Sequence, residues 1–528
     1  MDYLEKGETN GMGTKVDVYQ KYDALRAKQE IKNNPEKVAK IHAKGKYTAD
    51  ERLAMLYDGG IYQKTNPWAR NSCLLMDFYK QDPENEGAVT AFGKVNDRLV
   101  CAFAHDASVY GGSGGEGQFI KVIRLIESAI KNGVPLVGLN DASGARVQEG
   151  VAGLNCYCTQ FGKTTLASGW IPHISVITGT AAGGTAYAAA LTDFIIMIDP
   201  MSKMFITGPG VIKTVTSQSV TAEELGGCDV HSRVTGTAHF VVKSEKEALD
   251  LTRYLLGYLP SNSSEKPPVY PCHDPIDRQT KRIREVVPLD AHKPYDMKEV
   301  IRDVVDNGEF LEIQEDFATS MIIGLARING STVGIVANQP KILAGCIDCN
   351  ASFKAARFVR FCDSFNIPLL TFVDTPGYMP GVNQEHGGII RNGAKLLFAY
   401  SEATVPKITI VVRKDYGGAY SAMCGKGMGA DVVLALPTGE LAVMGAPAAA
   451  NLVFKKVINQ AANPEAKRKE MTDFYQEEFI NPYRGAEFGI VDDIIKPERL
   501  RHDLATYLDL LKDKEIWTPS KKHSNIPL

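Results

Sequence analysis

At 528 residues, 44% of them apolar, the chain is long enough to bury more than one large core, and roughly 100–200 residues per domain would allow three or four. A net charge of −3 supplies no basic surface for a nucleic-acid partner. The ten cysteines are scattered, and the close pair Cys346 and Cys349 has no second pair at a zinc-ribbon spacing, so reduced thiols and a cytoplasmic compartment (the mitochondrial matrix in a eukaryote) are expected.

The polar, acidic opening MDYLEKGETNGMG lacks the apolar stretch of a secretory signal. Residues 16–57 read as exposed helix, with Thr48 and Glu51 spaced as a capping box ahead of Leu53, Met55 and Leu56. From Gly87 to Ala104, alternating apolar residues predict a hairpin turning near Asn96 and Asp97. The spacing of Ile120, Val122, Ile123, Ile126 and Ile130 predicts a helix over 119–132, followed by a strand over 134–139. The uncharged stretch 164–192 resembles a membrane span, but Pro172, its glycines and its hydroxyls fit a buried strand, turn and helix better. Prolines and serines crowd residues 260–275 and mark a linker.

The second half repeats this order. A hairpin is predicted over 326–336, a helix over 353–365, a strand over 367–373, a helix over 390–403 and a strand over 407–412. A helix-rich segment near 463–514 closes the chain. Asp141 and Asp374, each ending a strand, are separated by the same length of chain as Tyr187 and Tyr420. Between aspartate and tyrosine in each half comes a strand opening with proline and then a glycine turn, Gly183-Gly184-Thr185-Ala186-Tyr187 or Gly417-Gly418-Ala419-Tyr420.

A glycine pair where a strand enters a helix is chemically useful. The first N–H groups of a helix have no internal acceptor, and glycine lets that backbone approach a ligand closely. Such a cradle stabilises a negative oxygen, and two cradles imply two carbonyl-bearing reactants. Packing alone would explain one glycine turn; two in register are harder to dismiss. The loops 141–150 and 374–388, glycine-rich and polar, stand at the carboxyl ends of the strands, where open α/β sheets bind ligands. No phosphate-loop motif is present. Glu149, Glu385 and His386 are open to either an acid–base reading or one as helix caps and loop braces.

From His42–Leu53 (HAKGKYTADERL) to the final KHSNIPL, the chain resembles the carboxyltransferase β subunits of biotin-dependent acyl-CoA carboxylases, the propionyl-CoA carboxylase type most closely. The residues that carry the likeness include 206–213 (ITGPGVIK), 224–227 (ELGG), 334–340 (GIVANQP), 354–363 (KAARFVRFCD), 387–395 (GGIIRNGAK) and 442–446 (AVMGA). The resemblance implies an α/β fold of two tandem crotonase-like ββα-spiral domains. A CoA-side domain would cover 22–275 and a biotin-side domain 276–519, between tails at 1–21 and 520–528.

The activity so implied is carboxyl transfer between biotin, held on a separate carrier, and the α-carbon of an acyl-CoA such as propionyl-CoA, with no metal needed by this subunit. Amides at Gly183 and Gly184 would hold the thioester oxygen, and those at Gly418 and Ala419 the ureido oxygen of biotin. Ala145, Arg146, Thr185, Tyr187, Gly377, Gly388, Tyr420 and Ser421 would line the substrates, Ser421 helping to set acyl preference. The implied partners are a biotin carboxylase, a biotin carboxyl carrier and further copies of the chain in a homohexamer of two stacked trimers, with no nucleic acid and no membrane span. A biotin-dependent decarboxylase or transcarboxylase subunit runs the same half-reaction and is the alternative. A biotin-independent hydratase or a non-catalytic scaffold fits the duplication less well.

Overall fold

The computed structural model describes residues 17–30, 34–73, 75–80 and 85–527, so the opening segment read for a signal lies outside the described residues. Two sheets of eight strands each organise the chain. The first contains β1 (Tyr62–Thr65), β2 (Ala88–Val95), β3 (Arg98–His105), β4 (Leu136–Ala142), β5 (His173–Ala182), β6 (Phe194–Ile198), β7 (Lys203–Phe205) and β8 (Phe240–Val242). The second contains β9 (Phe310–Ile313), β10 (Met321–Ile328), β11 (Ser331–Asn338), β12 (Leu369–Thr375), β13 (Lys407–Tyr416), β14 (Val432–Ala435), β15 (Glu440–Ala442) and β16 (Asp493–Ile494). The sheets share one plan. The order is β1-β2-β3-β4-β5-β6-β8 with β7 on β5, and β9-β10-β11-β12-β13-β14-β16 with β15 on β13.

Local chemistry accounts for the matching pieces. Both hairpins turn on two residues in the left-handed region, Asn96-Asp97 and Asn329-Gly330, the backbone that matches strand twist. The central strands β4, β5, β12 and β13 run parallel to their neighbours, and both their faces are covered, which their near-continuous apolar runs require. Helix α1 (Glu116–Asn132) follows the first hairpin. Its counterpart α5 (Cys349–Ser364) begins at the same offset as the paired aspartates, about one helical turn ahead of the expected Phe353. Before each helix, a tight turn places Gly112 or Gly345 at positive φ. Between them in the chain come α2 (Val151–Ala167), the short α3 (Gly184–Ala190) and α4 (Glu245–Leu256). After α5 come α6 (Ile389–Glu402) and the short α7 (Gly418–Ala422).

Several expectations need correction. The predicted capping box is present, with Glu51 N donating to Thr48 Oγ1 at 3.2 Å and Thr48 N to Glu51 Oε2 at 2.7 Å. The helix it starts (Ala49–Leu56) is nevertheless buried through Arg52, Leu53 and Leu56, whereas the helices Val18–Lys28 and Pro35–His42 bury nothing. The cross-strands β7 and β15 escaped the sequence reading because such short strands carry no periodicity. As expected, residues 260–275 contain no helix or strand. Beyond that linker the two halves pack together. Phe194 of β6 meets Phe361 of α5 edge-on at 4.7 Å, and Arg357 donates to the carbonyls of Thr192 and Asp193 at 2.8 and 2.9 Å. Buried phenylalanines of this kind contribute roughly 1.5–3 kcal/mol each.

Candidate active site

Both glycine turns have one geometry. Gly183 (φ 58°, ψ −125°) ends β5 and precedes α3; Gly417 (φ 60°, ψ −136°) ends β13 and precedes α7. No residue with a Cβ adopts that backbone without strain. The N–H of Gly183 donates to the Phe205 carbonyl at 3.1 Å, and that of Gly417 to Ala442 at 2.9 Å, so β7 and β15 hold the turns in place. The next two amides differ. Those of Gly184 and Thr185, and those of Gly418 and Ala419, have no acceptor among the described residues. Gly418 is exposed and Gly184 half-buried, while Thr185 and Ala419 lie beneath them. The helices are too short for a summed dipole to matter much, so the open amide pairs themselves provide the polarity.

These contacts move two expectations. The Gly183 amide is spent on an internal carbonyl, so the open pair in the first half is Gly184 and Thr185, the counterparts of Gly418 and Ala419. The tyrosines are not counterparts either. Leu136 pairs with His173 and Leu369 with Lys407, so the second half carries one extra residue between those strands. Tyr187 therefore corresponds to Ser421, and Tyr420 to Ala186.

Beneath each turn, matched braces hold the strand ends. Asp141 Oδ1 accepts from Thr180 N and Asp374 Oδ1 from Lys414 N, both at 3.2 Å. The Asp141 N–H points at His105 Nδ1 at 3.4 Å, and the Asp374 N–H at Asn338 Oδ1 at 3.2 Å. Lys46 neutralises Asp141 at 2.6 Å, and Arg413 neutralises Asp374 at 2.9 Å. Burial raises the Asp374 pKa, and Arg413 opposes that shift. The aspartates thus close a sheet irregularity that falls at the same place in both halves, Asn140–Ala142 and Val373–Thr375. An aromatic ring floors each turn. A Cβ on Gly184 would come within 2.4 Å of Tyr157, and one on Gly418 would sit 3.6 Å from Tyr378. Burial pushes both phenols up to about 12, so both stay protonated. These rings carried no recognisable sequence signal.

Arg146, expected to line the substrate, is fully buried. It binds Glu149 Oε1 at 2.7 Å, Glu86 Oε1 at 3.1 Å and the Ser113 carbonyl at 3.2 Å, over the Tyr110 ring. Glu149 in turn accepts from Glu116 N at 2.6 Å, capping α1. Both side chains brace the loop, so the structural reading of Glu149 holds. Next to Arg146, Ala145 is half-buried in a two-residue strand, Gly144–Ala145, paired with Ser113–Gly114. The corresponding bridge in the second half joins Ile347 and Tyr378, and Gly377 (φ 139°) takes the place of Gly144.

Thr185 hydrogen-bonds Tyr157 at 2.8 Å, and Tyr187 stands half-exposed against Phe161. Tyr420 accepts from Lys426 N at 3.2 Å, Ser421 is half-buried, and Gly388 (φ 83°) precedes α6. Glu385 and His386 are exposed on the short helix Val382–His386. Exposed apolar side chains are carried by Ile206 and Val443, whose carbonyls lie against Gly183 and Gly417, and by Val147, Val151, Val382 and Ile390 on the loops and helix starts that follow β4 and β12.

Residues 40–526 match the family described as Carboxyl transferase domain. The α subunit of methylmalonyl-CoA decarboxylase from Propionigenium modestum is 47% identical over 95% of this chain and 98% of its own. The carboxyltransferase subunit of propionyl-CoA carboxylase from Haloferax mediterranei is 48% identical over 96% and 99%. Among solved structures, transcarboxylase 12S, described as a hexamer with methylmalonyl-CoA and methylmalonic acid bound, superposes with a TM-score of 0.93 at 44% identity, covering 99% of this chain and all of that one. With its duplicated sheets and paired glycine turns, the chain belongs to the carboxyl transferase family and is a carboxyltransferase of tandem crotonase-like domains.

Proposed function

We propose that the chain moves a carboxyl group between biotin on a carrier protein and the α-carbon of a short acyl-CoA, the propionyl-CoA and methylmalonyl-CoA pair. The observation that carries this reading is the matched set of open amides, two per half. Gly184 and Thr185 hold the thioester oxygen as it gains charge during removal of the α-proton. Gly418 and Ala419 hold a second carbonyl oxygen, that of the biotin ureido ring. Bound biotin supplies the carboxyl group or receives it; this chain orients the two reactants and stabilises charge on their oxygens. Loss of one such donor typically costs ~2.7–4 kcal/mol in the barrier. The relatives are named for the same acyl pair in opposite directions, carboxylation and decarboxylation, and the carbonyl chemistry is common to both. The side chains of Tyr187, Tyr420 and Ser421 shape the space beside the amides, with Ala145, Gly377 and Gly388 at its edges. In this reading Ser421→Ile shifts preference toward shorter acyl chains.

The exposed apolar residues of each half support a further element of the reading. The first half of one copy would face the second half of another, in a homohexamer served by a biotin carrier and a biotin carboxylase. Free biotin with methylmalonyl-CoA gives the direct test: the chain should release CO2 only when both are present. Gly184→Val and Gly417→Val chains should each be inactive alone. Co-assembled from the unfolded state, they should recover activity, because some sites then combine two intact halves. Turnover without biotin would refute the function, and failure to complement would refute the shared site alone.

A further inference from the structure

The duplication shows, position by position, what the fold alone requires. Two residues before Gly183, β5 carries Ala181, fully buried in an apolar cluster with Ala186, Ala189 and Met204. Two residues before Gly417, the same position on β13 carries Asp415. It is 2% exposed, in register with Thr375 on β12 and Leu441 on β15. Its Oδ1 is enclosed without a hydrogen-bond partner, which the fold of the first half shows to be unnecessary. The charged groups around it are engaged elsewhere. On β13 and β12, Arg413 binds Asp374; on β15, Glu440 takes the Tyr416 hydroxyl; on α7, Tyr420, the group that senses the Asp415 charge, accepts from Lys426 N. Burial alone pushes the carboxyl up to about 7. An unpaired buried acid is costly to keep and clusters where function requires it.

We propose that Asp415 is a positioning residue for the second turn: as a neutral acid it leaves the Gly418 and Ala419 amides unopposed, and as a carboxylate it cancels part of their attraction for a developing oxyanion. Two negative charges close together in a water-poor interior repel strongly, so ionisation, with the proton released to solvent, weakens that turn and not its counterpart. The role rests on the function proposed above and adds to it a control specific to the biotin side.

The test follows kcat/KM for free biotin against pH, with methylmalonyl-CoA saturating. Wild-type activity should fall about tenfold to a lower plateau as Asp415 ionises, and Asp415→Asn should hold its level there, with KM for the CoA ester following wild type. Equal falls in both proteins would overturn the proposal. So would a folded Asn variant inactive at every pH, because the carboxylate itself would then be required. An infrared difference spectrum between the two proteins reads protonation without turnover. A protonated-carboxyl band lost on passing through neutral pH is expected, and a carboxylate band below neutrality would overturn the proposal. Wild type inert toward free biotin would instead remove the functional reading, and the role of Asp415 with it.

Discussion

Gly184 and Gly418 occupy equivalent positions yet tolerate change differently. A methyl group on Gly184 would meet the Tyr157 ring at 2.4 Å; on Gly418 it would rest 3.6 Å from Tyr378, an ordinary contact. Gly184→Ala should therefore displace Tyr157 and lower stability by about 1–3 kcal/mol, whereas Gly418→Ala should stay within about 0.5 kcal/mol of wild type. Denaturant titration of the two variants checks this, and equal losses would contradict it. The glycine pairs themselves were legible in the sequence because both follow a proline-led strand. Which amides stay open was not, since the acceptors at Phe205 and Ala442 sit on strands too short to leave a pattern. The same limit hid the single-residue lengthening of the repeat, so the two tyrosines looked equivalent when they are not.

At the scale of elements, the loop after β4 is fixed by buried charge. Arg146 joins Glu86 and Glu149, and Glu149 caps α1. Removing the cation leaves two enclosed carboxylates without their partner, so Arg146→Met should cost about 3–5 kcal/mol and loosen the start of α1. Thermal unfolding and amide exchange over residues 116–119 would show it. Retained stability would refute that bracing role, whereas the resemblance had suggested that Arg146 lines the substrate. That suggestion failed for a physical reason: an arginine in a glycine-rich loop looks solvent-facing until Glu86, far upstream in the chain, folds against it. The hairpins, the helices α1, α5 and α6 and the linker were readable because two-residue turns, apolar spacing and proline density are local signals; α2 and α4 were not named from the sequence.

Over the whole molecule the two halves share a plan but should respond differently to acid. The first half buries His105, His173 and His239 as neutral rings, with burial holding the first two down to about 4 and about 3 and the third far below its usual range. At the corresponding positions of the first two, the second half has Asn338 and Lys407. A histidine held below 6.5 when folded contributes stability that is complete above pH 6.5 and is lost as the pH falls towards its folded value. For His105 that window runs from 6.5 to about 4 and is worth on the order of 3 kcal/mol. His105→Asn, which copies the second half, should raise the melting temperature below pH 6.5 and leave it unaltered above. Limited proteolysis in mild acid should cut the first half before the second. Matching pH profiles for wild type and variant would refute this assignment.

The clamped glycine beside two open amides has one more consequence. Gly183 and Gly417 should exchange their amide hydrogens with heavy water slowly in every state, because β7 and β15 hold them. The unpaired amides of Gly184 and Gly418, which reach the surface, should exchange quickly until an oxygen docks there. Isotope labelling would then report occupancy of the two reactant seats separately, within one chain and without any turnover.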